Sequence, residues 1–134
     1  MKGLRNWGIA LLAGFLLVLC AGCGHDYRHI SHEKAMELMR PESGAVVVDV
    51  RSKDEYDKRH IVGALLVPID DIRSGKVDAL PTDKDRKLLL YCWTGRRAED
   101  AAVILMEMGY TQVYEFGGLV DWNGPVEGEE VDRH

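Results

Sequence analysis

Cysteine is scarce in this chain. Only Cys20, Cys23 and Cys92 occur among 134 residues, too few for the disulfide framework that holds small secreted scaffolds together. Basic residues are in the minority, with 17 Lys and Arg against 22 Asp and Glu and a net charge of −5. No basic stripe interrupts that balance, which excludes nucleic acid as a partner and leaves solubility as the use of the acidity. Internal repeats and low-complexity tracts are absent, which excludes solenoids and biased disordered segments. The length accommodates one domain and an appendage, not two domains.

The one long uncharged apolar run stands near the start. Lys2 and Arg5 precede Trp7 to Leu19, and small residues follow. A basic start, an apolar middle and a small-residue end make an export signal of the bacterial type, expected over residues 1–22. Ala21-Gly22-Cys23 resembles a lipobox, which implies acylation of Cys23, although Cys20 stands where Leu is usual. A membrane-spanning helix wants about 20 apolar residues. The run from Trp7 to Gly22 falls short, so a retained anchor is the lesser alternative. Both readings place the domain outside the cytoplasm on a membrane, the first as a lipoprotein of the periplasm or cell surface. Removing residues 1–22 takes away Lys2 and Arg5 and moves the net charge to −7. With Cys20 cleaved off and Cys23 lipidated, Cys92 is left as a lone thiol in an oxidising compartment. Such a thiol is either buried and inert or kept for its reactivity.

Beyond a tether at residues 23–28, strand and helix patterns alternate through a domain spanning 29–124, and an acidic, loose tail is expected over 125–134. Ser31 is placed to cap a helix running to Met39, and Pro41 and Gly44 end it. Ala45 to Val50 is a β-branched run of the kind buried on both faces of a sheet. A short charged helix is expected over Ser52 to His60, a strand over Ala64 to Val67, and helical turns between Ile69 and Leu80. Lys87 to Tyr91 reads as a second buried strand. A helix from about Arg97 to Met108, stopped by Gly109, and a strand at Gln112 to Phe116 complete the pattern. Strands alternating with helices predict an α/β fold: a mostly parallel sheet with helices on both faces. Functional groups in such folds gather beyond the carboxyl ends of the strands, where Cys92 lies.

The segment Tyr91-Cys92-Trp93-Thr94-Gly95-Arg96-Arg97-Ala98 joins a buried strand to a helix. Gly95 lets the loop curl so that successive N–H groups converge. The following helix adds its positive end, and Arg96 and Arg97 add full charges. Such a cradle favours a thiolate over the neutral thiol and also holds an incoming anion. An inert core cysteine has no use for that much positive charge. No general base is evident, which suits a nucleophile that is already ionised.

At these residues the chain resembles the rhodanese-like domains, over nearly all of 29–122. Asp49-Val-Arg51, Glu55-Tyr56, His60-Ile-Val-Gly-Ala64 and Pro68 are similar to one part of that family's pattern. Cys92-x-x-Gly95-x-Arg97 is similar to its active-site loop, and Gly117-Gly118 with Trp122 to its closing motif. The resemblance implies a five-stranded parallel sheet and sulfur transfer through a cysteine persulfide. Cys92 would be the nucleophile, with Trp93, Thr94, Gly95, Arg96 and Arg97 as the loop that holds the persulfide and the substrate. Asp49, Arg51 and His60 would support folding and the loop. The implied partners are an anionic sulfane-sulfur donor such as thiosulfate and a thiol or cyanide as acceptor, with no cofactor. Ala98 stands where Ser or Thr is common, so one hydrogen bond to the loop is missing. A persulfide carrier or partner-docking module without turnover therefore remains an alternative, as does a phosphatase or arsenate reductase on a similar fold. His25, His29 and His32 read as surface histidines of the tether, without the acidic or thiol partners a metal site needs. Trp122 reads as core packing, and Asp70-Asp71 as a solvated turn.

Overall fold

A computed structural model describes residues 26–131. The sequence elements at residues 1–22 and at Cys23 lie outside that range. Among the described residues no helix is long and apolar enough to cross a membrane.

Five strands form one parallel sheet. In chain order the elements are β1 (Arg28–His29), α1 (His32–Leu38), β2 (Val46–Asp49), α2 (Lys53–Lys58), β3 (His60–Ile61), β4 (Leu65–Leu66), α3 (Ile69–Arg73), β5 (Lys87–Cys92), α4 (Arg96–Glu107), β6 (Gln112–Gly118) and β7 (Val126–Glu127). The sheet order is β1-β6-β5-β2-β4, which puts β5 in the middle. Its residues Leu88, Leu89, Leu90 and Tyr91 are fully buried because both faces are covered. On one face α3 and α4 pack Ile69, Ile72, Ala98, Ala101, Ala102 and Leu105 against Val48, Leu88 and Leu90. On the other, Ala35 of α1 joins Phe116, Leu119 and Trp122 over Val47, Leu89 and Tyr91. Truncating any one of these leucines to alanine leaves a cavity worth about 2–5 kcal/mol.

The Ser31 cap forms as the sequence predicts, and a second cap is found at Ser52. The Ser31 side chain accepts from the Lys34 N–H, and Ser52 forms a reciprocal box with Glu55 at the start of α2. Trp122 packs in the core at 6% exposure. Three boundaries are corrected. Arg28, expected in the tether, already pairs with Tyr114 in the sheet. His60, expected to end a helix, lies in a strand because α2 stops at Lys58. The tail is not loose throughout: Val126 and Glu127 pair antiparallel with Ile61 and His60 in a second, two-stranded sheet. The cause is burial. Ile61 is 2% exposed, and pairing with β7 satisfies its edge.

Candidate active site

Cys92 is the last residue of β5, and the loop after it enters α4 directly at Arg96. Two residues back, Leu90 lies opposite Glu115 of β6, but Cys92 lies opposite Gly118. The extra residue on β6 is a bulge, a device that re-aims a strand end. Cys92 is 1% exposed, with one side against the core of α3 and α4. Trp93 and Thr94, both exposed, form the outer surface of the loop. Sγ accepts a hydrogen bond from the Gly95 N–H at 2.9 Å. Gly95 has φ +113°, a left-handed conformation that disfavours any side chain, and a Cβ there would stand 3.0 Å from Gly117 Cα. The N–H groups of Arg96, Arg97 and Ala98 begin a twelve-residue helix and have no intrahelical acceptor. Of the amides expected to form a cradle, the Gly95 N–H reaches Sγ, and the free N–H groups of the first turn of α4 follow it along the chain.

The arginines differ from expectation. Arg96 is exposed, but Arg97 does not present a full, unpaired charge. Its guanidinium donates two hydrogen bonds to Glu55 of α2, at 2.8 and 3.0 Å. Those bonds, joined by the Ser52 N–H and hydroxyl, hold the Glu55 carboxyl down at about 2 against the opposition of burial. Glu55 in turn holds Arg97 above its ordinary value, and Cys92 adds to that effect. Glu55 is thus a site residue that carried no assigned role in the sequence. Its partner lies 42 residues away, and in the sequence it stood out only as part of the Glu55-Tyr56 pair of the family-like pattern.

Asp49 and Arg51 act from below. Arg51 donates to both Asp49 oxygens and to the Arg59 carbonyl. Burial pulls the Arg51 guanidinium down, but the hydrogen bonds and charge of Asp49 outweigh it and leave it raised. The Tyr91 hydroxyl donates to Asp49 at 2.7 Å and accepts from the Ile61 N–H at 3.0 Å. Burial, then the Asp49 charge, pushes Tyr91 far above the phenol range. Because Tyr91 precedes Cys92, this network anchors the strand end that carries the thiol. His60 takes the folding part of the support expected of it. Its ring stacks on Tyr56 and its nitrogens face the Tyr56 carbonyl and Glu127. It secures β3 and β7, not the loop.

The closing motif has a role that sequence reading left undefined. A Cβ on Gly118 would fall 1.9 Å from the Trp93 carbonyl oxygen and 2.6 Å from the Thr94 nitrogen. The Val120 N–H donates to that same carbonyl at 3.1 Å. Gly118 and Val120 therefore clamp the outer half of the loop. His32 is another correction: it is not a surface residue but packs edge-on to Phe116 and Trp122. His29 finds the acidic partner it was thought to lack in buried Glu115. Between the starts of α2, α3 and α4 lies a groove of about 340 Å³ lined by Arg51, Lys53, Asp70, Arg73 and Arg97, each of whose cations is paired with a carboxylate. A buried sulfur that accepts an N–H at the start of a helix can react as a nucleophile.

Residues 31–124 match the Rhodanese-like domain family. The chain is 39% identical over 74 residues to thiosulfate sulfurtransferase PspE of Escherichia coli, covering 55% of this chain and 70% of that protein. It is 30% identical over 114 residues to a tRNA uridine(34) hydroxylase of Hamiltonella defensa, covering 82% of this chain but 32% of that longer protein. Among solved structures, a rhodanese with anions from E. coli superposes with a TM-score of 0.57 at 35% identity, over 63% of this chain and 99% of that one. On fold, loop and family match together, the chain belongs to the rhodanese-like domain family.

Proposed function

We propose that the protein is a sulfurtransferase working through a persulfide on Cys92. The observation that carries this reading is the Gly95 N–H directed at a buried Sγ inside the first turn of α4. The Cys92 thiolate attacks the outer sulfur of thiosulfate or a similar anion. The donor's S–S bond breaks, and sulfite leaves with the electron pair. The amides of the loop then hold the terminal persulfide sulfur, and the exposed Arg96 draws the anion to the start of α4. Discharge follows when a thiolate or cyanide attacks that terminal sulfur and the electron pair returns to Sγ. Because Cys92 is the sole cysteine of residues 26–131, no other thiol of those residues can resolve the persulfide as a disulfide. Sulfur therefore leaves to an external acceptor. Kinship with a named thiosulfate sulfurtransferase supports the choice of donor.

Thiosulfate is expected to add one sulfur atom to the intact domain, read by mass spectrometry, and cyanide to remove it. Undiminished transfer by Cys92→Ser would overturn the reading. We further propose that the domain is exported and tethered through lipid on Cys23, on the strength of Ala21-Gly22-Cys23 after the apolar run. Full-length protein should partition with membranes, and Cys23→Ser should abolish lipid labelling. A membrane-bound chain that retains residues 1–22 would refute the lipoprotein assignment.

A further inference from the structure

We propose that Glu115 is a positioning residue for Cys92: its buried carboxylate fixes the stretch of β6 against which the catalytic loop is seated. The proposal deepens the persulfide reading above and rests on it. Glu115 is 1% exposed, and the reaction as described gives it no part. Beside it the two central strands differ in count. Between Leu90 and Cys92, β5 has one residue, Tyr91. Between their partners Glu115 and Gly118, β6 has two, Phe116 and Gly117. A bulge of this kind leaves backbone groups without ladder partners. The Glu115 side chain supplies one such partner, its Oε2 accepting the Gly117 N–H at 2.9 Å. Its other oxygen is held by His29 of β1.

Gly117 in turn backs the loop. A Cβ on Gly95 would stand 3.0 Å from Gly117 Cα, so the two backbones meet with no side chain between them. Gly95 is the residue whose N–H donates to Sγ at 2.9 Å. Gly118, next along β6, is clamped against the Trp93–Thr94 peptide. The carboxylate therefore acts on the sulfur through three contacts: Oε2 with Gly117, Gly117 with Gly95, and Gly95 with Sγ. A buried carboxylate is a poor source of stability, because replacing a buried ion pair by apolar groups of similar volume is often neutral or stabilising. The His29 side chain is 69% exposed, so removing Glu115 does not strand it away from water. Positioning and stability can for that reason be separated at this residue.

The test uses the full chain and follows thiolate formation by ultraviolet absorbance against pH, each variant blanked by its own Cys92→Ser form. Glu115→Leu removes the acceptor, frees the Gly117 peptide and loosens the Gly95 N–H from Sγ. The thiolate midpoint should rise by about one pH unit, equivalent to about 1.4 kcal/mol and close to what a hydrogen bond to a charged group contributes. Below both midpoints, thiosulfate-to-cyanide transfer should fall about tenfold with the thiolate, and Tm should not fall with it. Glu115→Gln keeps an oxygen for Gly117 and removes only the charge, a change that by itself favours the thiolate. Its midpoint should stay level or fall. Arg97, which faces Cys92 from α4, stays with Glu55 in both variants. A level or lower midpoint in Glu115→Leu would overturn the positioning role alone. So would a rise in Glu115→Gln equal to that in Glu115→Leu, since the accepting oxygen would then not be the cause. If Glu115→Leu does not fold, Glu115→Ala is read by the same signs. A wild-type chain that never gains sulfur from thiosulfate would overturn this role together with the persulfide reading.

Discussion

Gly118→Ala isolates the clamp over the loop. Gly118 has an extended backbone, φ −155°, that any residue adopts, so the substitution introduces no conformational strain of its own. Its effect is steric: the new methyl would lie 1.9 Å from the Trp93 oxygen, where real contacts of this kind stay beyond 3.0 Å. The obstacle is backbone, not the flexible end of a side chain, so the Trp93–Thr94 peptide must retreat by about 1.1 Å, the shortfall between those distances. Overpacking of this kind costs about 1–3 kcal/mol, and a rigid backbone partner places this site near 3. For a domain of about 100 residues that lowers Tm by roughly 12–24 °C. A displacement of about 1 Å at reacting groups lowers turnover by about 100-fold. Gly63→Ala serves as the comparison. Gly63 has φ +80° and open space where a Cβ would stand, so only the left-handed backbone is penalised, by about 1–2 kcal/mol. It should lose a modest amount of Tm and keep its transfer rate. The measurements are thermal unfolding by circular dichroism and thiosulfate-to-cyanide transfer below both midpoints. Wild-type Tm and turnover in Gly118→Ala would refute the clamp.

The Glu55–Arg97 pair makes a pH-dependent contribution. Because the folded state lowers Glu55 from 4.5 to about 2, the stability it provides is fully present above the unfolded value and is lost as pH falls toward 2. The partners are 36% and 37% exposed, so solvent screening holds the contribution near 1 kcal/mol. Glu55→Gln should be less stable by about that amount at neutral pH, with the difference closing between about pH 4.5 and 2 in urea titrations. A constant difference across that window would show that the carboxylate is not the cause. Four residues separate Cys92 from Arg97, one fewer than in the related phosphatase loops, and the next position is the buried Ala98, which cannot clamp phosphate. The domain is expected to show no Cys92-dependent hydrolysis of aryl phosphates; robust turnover abolished by Cys92→Ser would reverse the choice of sulfur over phosphorus.

Sequence alone determined whatever depends on neighbours along the chain. The β-branched run at Val46–Val48, the cap at Ser31 and the turn from Cys92 through Gly95 into α4 are local, because periodicity and capping act within a few residues. The parallel sheet followed from the alternation of such elements, and the position of Cys92 at a strand end followed from the sheet. Tertiary structure alone decided which distant groups meet there. Arg97 was legible as a cation, but its neutralising partner Glu55 sits on another helix. Gly118 was legible as a glycine, but its reason is the Trp93 carbonyl brought against it by the bulge between β5 and β6. His32 met Phe116 and Trp122 only because α1 folds back over the end of β6, and the acidic tail gained a strand only because Ile61 had an edge to cover. Contacts of this kind are set by strand order and register, which are properties of the whole packed chain and leave no periodic trace in any one segment of it.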